Sequence, residues 1–269
     1  MADKKRWFRL PLRNLFVLFT CVAVAIGLVA YRGQQRKAAL AAVRKAGGTI
    51  HMGVGEHSRL EDWFGPDAFG SVWRVDLHQG KADKALVAQI AVLKELTTLD
   101  LSNADIDDEG VRQIAHLPLR VLWLQSTHIT DASAATISRI KTLDFLMLNA
   151  TGVSDRFLEQ LEPLPALEKL GLRGSRVTGA GMKFLARHPS LKELDVYWTK
   201  VDDAGVEALS HCQSLTRLGL SMTGITNDVF QYLDKLPTLT ELDLTANRPV
   251  TKEAVQAFQT KHLQCKIEF

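Results

Sequence analysis

Apolar positions along this chain recur on two scales. At the short scale they alternate as Leu-x-x-Leu-x-Leu: Leu143, Leu146 and Leu148, then Leu167, Leu170 and Leu172, then Leu191, Leu194 and Val196. Leu215, Leu218 and Leu220 continue the series, and Leu239, Leu242 and Leu244 follow. At the long scale the middle leucines Leu146, Leu170, Leu194, Leu218 and Leu242 are spaced by 24 residues (170 − 146 = 24, and so on). Upstream, Leu119, Leu122 and Leu124 match, as do Leu96, Leu99 and Leu101, with Val72, Val75 and Leu77 as a weaker first copy. The step from Leu99 to Leu122 is 23, and the pair Arg248-Pro249 lengthens the last unit so that Ile267 and Phe269 close the series. Counted from Val75 this makes eight copies and a final strand. A fixed period of this length predicts a solenoid.

The alternating half of each unit predicts a short strand with its leucines inward. The other half has helical spacing, as in Leu158 and Leu161 or Phe184 and Leu185. Its start carries capping residues at one phase: Thr130-Asp131, Ser154-Asp155, Thr178, Asp202-Asp203, Thr226-Asn227 and Thr251. Its end is phased too. Pro118, Pro165, Pro189 and Pro237 each lie 19 residues after the central leucine of their copy (Leu99, Leu146, Leu170, Leu218). Proline cannot continue a helix, so each helix is expected to stop at or before it.

Strand, turn and helix repeated in one sense lay parallel strands on one face and helices on the other. No copy can bury its leucines alone, so neighbours must cover them. Over residues 72–269 the pattern resembles the leucine-rich-repeat family. The resemblance implies an α/β solenoid with a parallel β-sheet on the concave face and helices on the convex face. One departure stands out. The family's asparagine after the strand is here replaced by Thr127, Thr151, Ser175, Thr199 and Thr223, and only Asn247 keeps it. A hydroxyl is expected to bond neighbouring backbone in a ladder instead.

The first residues follow another pattern. Leu15 to Tyr31 is uncharged and includes Phe16, Val17, Leu18, Phe19, Ile26, Leu28 and Val29. At ~1.5 Å per residue it reaches about 25 Å, at the short end for a membrane span. Lys4, Lys5, Arg6, Arg9 and Arg13 precede it, Arg32, Arg36 and Lys37 follow it, and Trp7, Phe8 and Tyr31 sit where interfacial aromatics belong. A cleaved signal peptide is the rival reading. Its small-x-small site should end the run, whereas Ala23-Val24-Ala25 lies in the middle, as does Cys21, which a lipoprotein would need at the end. The expectation is an uncleaved, single-pass signal anchor, its N-terminus cytoplasmic and its repeats extracytoplasmic, in a periplasm.

This divides the chain into a basic tail (1–14), an anchor (15–31), a juxtamembrane helix ended by Gly47-Gly48 (32–48), an N-terminal cap (49–71) and the repeat domain (72–269). The cap is expected to use Trp63, Phe64, Pro66 and Phe69. The arrangement looks like that of bacterial signal-anchored leucine-rich-repeat proteins. That resemblance implies protein contacts in the envelope.

Charge is split. Residues 1–45 hold ten Lys/Arg and one acid, a net of +9, while the rest holds 33 − 10 = 23 basic and 30 − 1 = 29 acidic residues, a net of −6. The basic end suits anionic lipid, and the acidic repeats argue against nucleic acid. Cys212 and Cys265 lie about two repeats apart, too far for a disulfide, and are expected free and buried. There is no His-Glu-x-x-His, phosphate-binding glycine loop, Cys-x-x-Cys or Gly-x-Ser-x-Gly, so no catalytic motif and no cofactor site is read. His116, His188 and His211 fall near helix ends, where an imidazole meets the last carbonyls. Asp76, Asp100, Asp195 and Asp243 share one outward strand position. The plain reading is a solvated face balanced by Arg74, Lys169 and Arg217; a cation between Asp76 and Asp100 is the alternative. Asn149-Ala150-Thr151 matches a glycosylation sequon, read as accidental.

Outward strand positions carry the candidate site. Copies 3 to 6 place Trp123, Phe145, Met147, Asn149, Gly171, Arg173, Tyr197 and Trp198 there, and Gly171 is expected to open a gap beside Met147. The flanking copies offer Thr98, Ser102, Gly219, Ser221 and Thr245. Aromatics with arginine are the side chains that dominate binding hot spots, and a contiguous exposed cluster marks a partner site. The expected function is a membrane-anchored, non-enzymatic module that binds a protein or peptide through the concave face, by Trp123, Phe145, Met147, Asn149, Arg173, Tyr197 and Trp198. The structural alternative is that these aromatics only shield one another and the Lys/Arg stems. Rival functions are an envelope protein that self-associates, a glycan receptor, a ubiquitin-ligase adaptor and an enzyme using the aspartates.

Overall fold

The computed structural model describes residues 12–53, 65, 67, 70–78 and 81–269. The expected cap aromatics Trp63, Phe64 and Phe69, with Pro66, fall outside them, as does the basic tail through Arg9. Among the described residues the sheet has ten strands in chain order, β1 (Thr49–Met52), β2 (Val72–Asp76), β3 (Thr98–Asp100), β4 (Val121–Trp123), β5 (Phe145–Met147), β6 (Lys169–Gly171), β7 (Glu193–Asp195), β8 (Arg217–Gly219), β9 (Glu241–Asp243) and β10 (Lys266–Glu268). From β2 onward all pairings are parallel, and Leu99, Leu122, Leu146, Leu170, Leu194, Leu218 and Leu242 stand in one line of register. All seven are buried, so each leucine covers its neighbour's.

On the other face lie the helices Lys84–Ile90, Asp108–Ile114, Asp155–Gln160, Asp203–Leu209 and Lys252–Lys261. Segments 131–137, 179–187 and 227–233 mix α and 3-10 turns. Each expected cap side chain accepts a backbone N–H of its first turn. Each helical segment has ended by its proline.

The caps are also tied across copies. The carboxylate of Asp131 accepts from the backbone N–H (2.7 Å) and hydroxyl (2.6 Å) of Ser154, the cap of the next copy. Asp155 serves Thr178 in the same way, Asp108 serves Thr130 and Asp203 serves Thr226. Where the next cap is itself an aspartate, the preceding position is not acidic. Lys84 pairs with Asp107, and Gly179 precedes Asp202, whose Oδ1 would lie 2.1 Å from any Cβ at 179.

After each strand from β3 to β9 the chain turns through a left-handed residue: Asn103, Ser126, Ala150, Gly174, Trp198, Met222 and Ala246. Six of these are not glycine. At Asn103, Ser126, Ala150, Trp198 and Met222 the cost of about 1 kcal/mol is offset because the N–H bonds a carbonyl of the next copy, as Ala150 does to Arg173 (2.7 Å). The hydroxyls then behave differently from the expected ladder. Thr127, Thr151, Thr199 and Thr223 donate to the carbonyl three residues back in their own copy (2.5 to 2.7 Å). Only Asn247, with two amide hydrogens, reaches both Leu220 and Leu244 carbonyls, while its oxygen accepts from the Thr223 N–H. A hydroxyl has one hydrogen to give, so it closes its turn and leaves the neighbour to the backbone.

The open first edge is covered from the N-terminal side. One helix, Leu12–Lys45, runs unbroken through the boundaries drawn at 14 and 31. Leu40 and Val43, both 0% exposed, enter the core beside the helix Lys84–Ile90, so covering of the first copy begins before residue 49. Gly47 (φ 83°) ends the helix with the Gly48 N–H bonded to the Val43 carbonyl (2.9 Å) and its own N–H to the Arg44 carbonyl (3.1 Å). A Cβ on Gly48 would meet Leu77 at 2.6 Å. β1 then adds antiparallel to β2.

Candidate partner-binding face

The outward strand residues form two rows. In one, Asp76, Asp100, Trp123, Met147, Gly171, Asp195, Gly219 and Asp243 are successive partners in register. In the other, Phe145, Lys169, Glu193, Arg217 and Glu241 follow one another. Trp123, Phe145, Met147, Asn149 and Tyr197 are half-buried and Arg173 and Trp198 are exposed; none joins the leucine core.

Their contacts are with one another and with cations. The Trp123 and Phe145 rings lie 5.2 Å apart at 57°. Arg74 sits 5.4 Å from the Trp123 ring, Lys169 5.2 Å from Phe145 and Arg173 3.9 Å from Tyr197. The Tyr197 hydroxyl meets the Met222 sulfur at 3.0 Å. Each cation contact is worth ~0.5–1 kcal/mol at exposed sites. Mutual shielding, the structural alternative, is therefore present in this cluster.

Two expectations need correction. Gly171 does not open a gap: Met147 leans over it, its sulfur 2.1 Å from where a Cβ would stand. Missing bulk on a crowded face is filled by the nearest flexible side chain. Trp198 is not on a strand row but on the left-handed turn (φ 54°), where its ring packs 3.4 Å from a Cβ built on Gly174. Alternation ends at Tyr197, and the left-handed turn carries Trp198 to the rim. Asn149 supports the backbone, its oxygen accepting from the Arg173 N–H (2.9 Å).

Beyond Phe145 the second row becomes an ion ladder. Lys169 pairs with Glu193 (2.8 Å), and Arg217 spans Glu193 (3.0 Å) and Glu241 (2.9 Å). Beside it runs a groove of about 270 Å³, lined by Met147, Asp195, Arg217, Gly219, Asp243 and Glu268 among others. The outward aromatics do not announce this groove; its signal in the sequence is the small residue Gly219 within the outward row.

The in-phase aspartates have a local explanation. Asp76, Asp100, Asp195 and Asp243 each accept the backbone N–H two residues on, at 3.1, 2.9, 2.9 and 2.9 Å. Such a bond bends the chain out of the strand. Lys169 and Arg217 go to glutamates rather than to these aspartates, and only Arg74 reaches one, Asp76 (3.3 Å). His78, not singled out in the sequence, joins Asp76, and its Nδ1 lies 4.0 Å from Asp100. The Asp76 hydrogen bond raises the His78 pKa. On Asp76 burial acts upward, and the bonds from His78 and Arg74 outweigh it and leave the carboxyl low. These three could offer a cation one ligand each, but Asp76 and Asp100 already spend an oxygen on their turns, and Arg74 stands against Asp76.

His116 bonds the Ala91 carbonyl (3.0 Å), but His188 acts the other way round. It is buried, and its Nδ1 accepts the Leu164 N–H (3.2 Å). Burial lowers its pKa. Cys212 and Cys265 are free and buried; burial pushes the Cys212 thiol up to about 11. Leu15, Phe16, Val17, Leu18, Phe19, Ile26, Leu28, Val29 and Tyr31 are all exposed on the N-terminal helix. Its mean hydropathy of 2.2 over an 18-residue window makes it long and apolar enough to cross a membrane, a character that a signal sequence shares.

The profile of the family described as Leucine Rich repeat matches residues 94–115, 187–210 and 235–258. Among solved structures, a leucine-rich-repeat protein of Leptospira interrogans is similar at 20% identity and a TM-score of 0.52, over 68% of this chain and 45% of that one. An internalin from Listeria monocytogenes is similar at 16% identity and a TM-score of 0.50, over 70% of this chain and 57% of that one. At these identities the likeness is one of fold, and this chain spans about half the length of either protein. No curated protein matches the sequence.

Proposed function

As a protein built of leucine-rich repeats, this chain, we propose, is a membrane-held, non-enzymatic module that binds a protein or peptide on its concave face. Leucine-rich-repeat proteins commonly mediate protein–protein contacts through an extended curved surface. One observation carries the reading. Trp123, Phe145, Met147 and Tyr197 stand outward without joining the core, and Met147 also lines a groove rimmed by alternating charge. Large aromatics beside arginine give most of the binding energy at interfaces, and the ion ladder supplies orientation. Cation contacts cover the ring faces in the free state, so a partner exchanges them rather than meeting bare apolar surface. The exposed apolar helix supports the membrane part, and we place the N-terminus in the cytoplasm and the repeats in the periplasm as the usual topology of an N-terminal signal anchor.

A photo-crosslinking residue at position 173, exposed beside Tyr197, should capture a discrete partner in cells, and one at Arg156 on the convex side should not. The double substitution Trp123→Ala/Tyr197→Ala should abolish that capture, which also requires the circular dichroism to be unchanged. Capture that survives the double substitution removes the patch as the site. A second reading, self-association, is favoured by Leu263 and Phe269, 78% and 51% exposed beside β10. It requires a species larger than the monomer in mild detergent.

A further inference from the structure

The face of the N-terminal helix that docks on the repeats does not stop at the core. Val29, Gly33, Arg36, Leu40 and Val43 follow one another at spacings of 4, 3, 4 and 3, one stripe of a helix. Leu40 and Val43 are in the core and Gly33 is buried. The stripe therefore carries the first repeat to within one helical turn of Tyr31, where the uncharged run ends. The loop Ala91–Glu95 is thereby held beside the place where the run would leave a bilayer.

Between that loop and the helix lies a cleft of about 870 Å³. Its wall is apolar at Val29, Ala91 and Val92, and cationic at Arg32, Arg36 and Lys94. Arg36 is engaged by Glu95 and by the Gly70 carbonyl, yet its Nε is buried with no hydrogen-bond partner. Glu95, the acid in the wall, is spent on Arg36. Arg32 and Lys94 are exposed and have no ion pair among the described residues. Two cations without an ion pair among the described residues line a cleft that is greasy on the side of the span. That is the chemistry of a phosphodiester with acyl chains attached.

We propose that this cleft binds the headgroup phosphate of an anionic glycerophospholipid, with Arg32 and Lys94 on the phosphate and Val29 and Val92 against the chains. The proposal rests on the reading that residues 15–31 lie in a bilayer. Its function would be to fix the tilt of the first repeat, and so the direction in which the concave face opens, by bonding the helix and the loop to one lipid.

The test uses the full chain in vesicles of phosphatidylcholine alone and of phosphatidylcholine with phosphatidylglycerol. Thermal denaturation should shift upward only with phosphatidylglycerol, and inorganic phosphate in solution should give no shift. The variant Arg32→Gln/Lys94→Gln should float with both vesicles but bind the anionic lipid roughly thirtyfold more weakly, about one step of surface attraction for each cation. The control Lys37→Gln/Lys45→Gln removes equal charge elsewhere on the helix and should keep the shift. Full retention of the shift in the first variant overturns the cleft, as does equal loss in the control. An equal response to inorganic phosphate overturns the lipid assignment. A wild-type chain that floats but shows no lipid-dependent shift overturns the proposal alone. One that does not float overturns the membrane reading beneath it.

Discussion

Gly179 and Asp202 illustrate how single positions hold the stack together. Everywhere else along 108–226 an acidic first-turn residue meets a hydroxyl cap in the next copy, and here glycine meets a carboxylate. Asp131→Ala should lower stability by about 1–2 kcal/mol in urea denaturation, since it strips two accepted bonds from Ser154. Gly179→Asp should also destabilise, by contact and like charge. Adding Asp202→Thr to it should recover most of the loss, because the pair then has the acid–hydroxyl form of its neighbours. A double-mutant cycle without that recovery would contradict the pairing rule. His188 gives a pH prediction. Its pKa is lowered by burial, so the fold favours the neutral ring and the associated stability is present above the ordinary value of 6.5. It is lost as pH falls through the folded value. Thermal midpoints should drop between about pH 7 and pH 5, and His188→Asn, which keeps an acceptor for Leu164, should flatten that drop. His78 has a raised pKa and contributes with the opposite sign, its stability lost as pH rises, so it cannot produce the acid limb.

At the scale of elements, the decisive piece is the last third of the N-terminal helix. It serves as the first layer of the solenoid rather than as a tether, because Leu40 and Val43 fill the position that an earlier repeat would occupy. Leu40→Ala should cost about 2–5 kcal/mol, the range for a fully buried leucine. The loss should appear in hydrogen exchange at β2 and the helix Lys84–Ile90, leaving β8 and β9 protected, since a stacked repeat contacts only its neighbours. Uniform loss of protection would show that the stack unfolds as one unit. The strands and caps were legible in the sequence because both rest on local rules, alternation and a side chain within reach of its own first turn. The plug was not, because Leu40 and Val43 sit in an Ala/Arg/Lys-rich stretch whose apolar positions are too sparse to announce a buried face.

Across the whole molecule, two properties arise from stacking alone. One is the concave face, where residues far apart in sequence stand next to each other: Trp123 beside Met147, and Arg173 on Tyr197. The outward phase of these residues followed from alternation, but their mutual shielding and the groove beyond them did not, since side-chain lean and rotamer are settled by neighbours. The other is attachment. One unbroken helix leads from the apolar run into the core of the repeats. Substituting Trp123 and Tyr197 should therefore affect binding and leave the stack intact, because both rings are half-buried on the outside of a core they do not enter.

The sequence by itself determined the period, the parallel strands, the inward leucines, the capped helices and the apolar run at the start. Each of these is a repeated local pattern, and repetition multiplies a weak signal. Tertiary structure alone decided which carboxylate bonds which cap, that non-glycine residues hold left-handed turns through bonds to the next copy, and that the helix after the apolar run seals the first repeat. Those depend on atoms brought together from some 24 positions apart, or from opposite ends of a fold, and no local rule records the meeting.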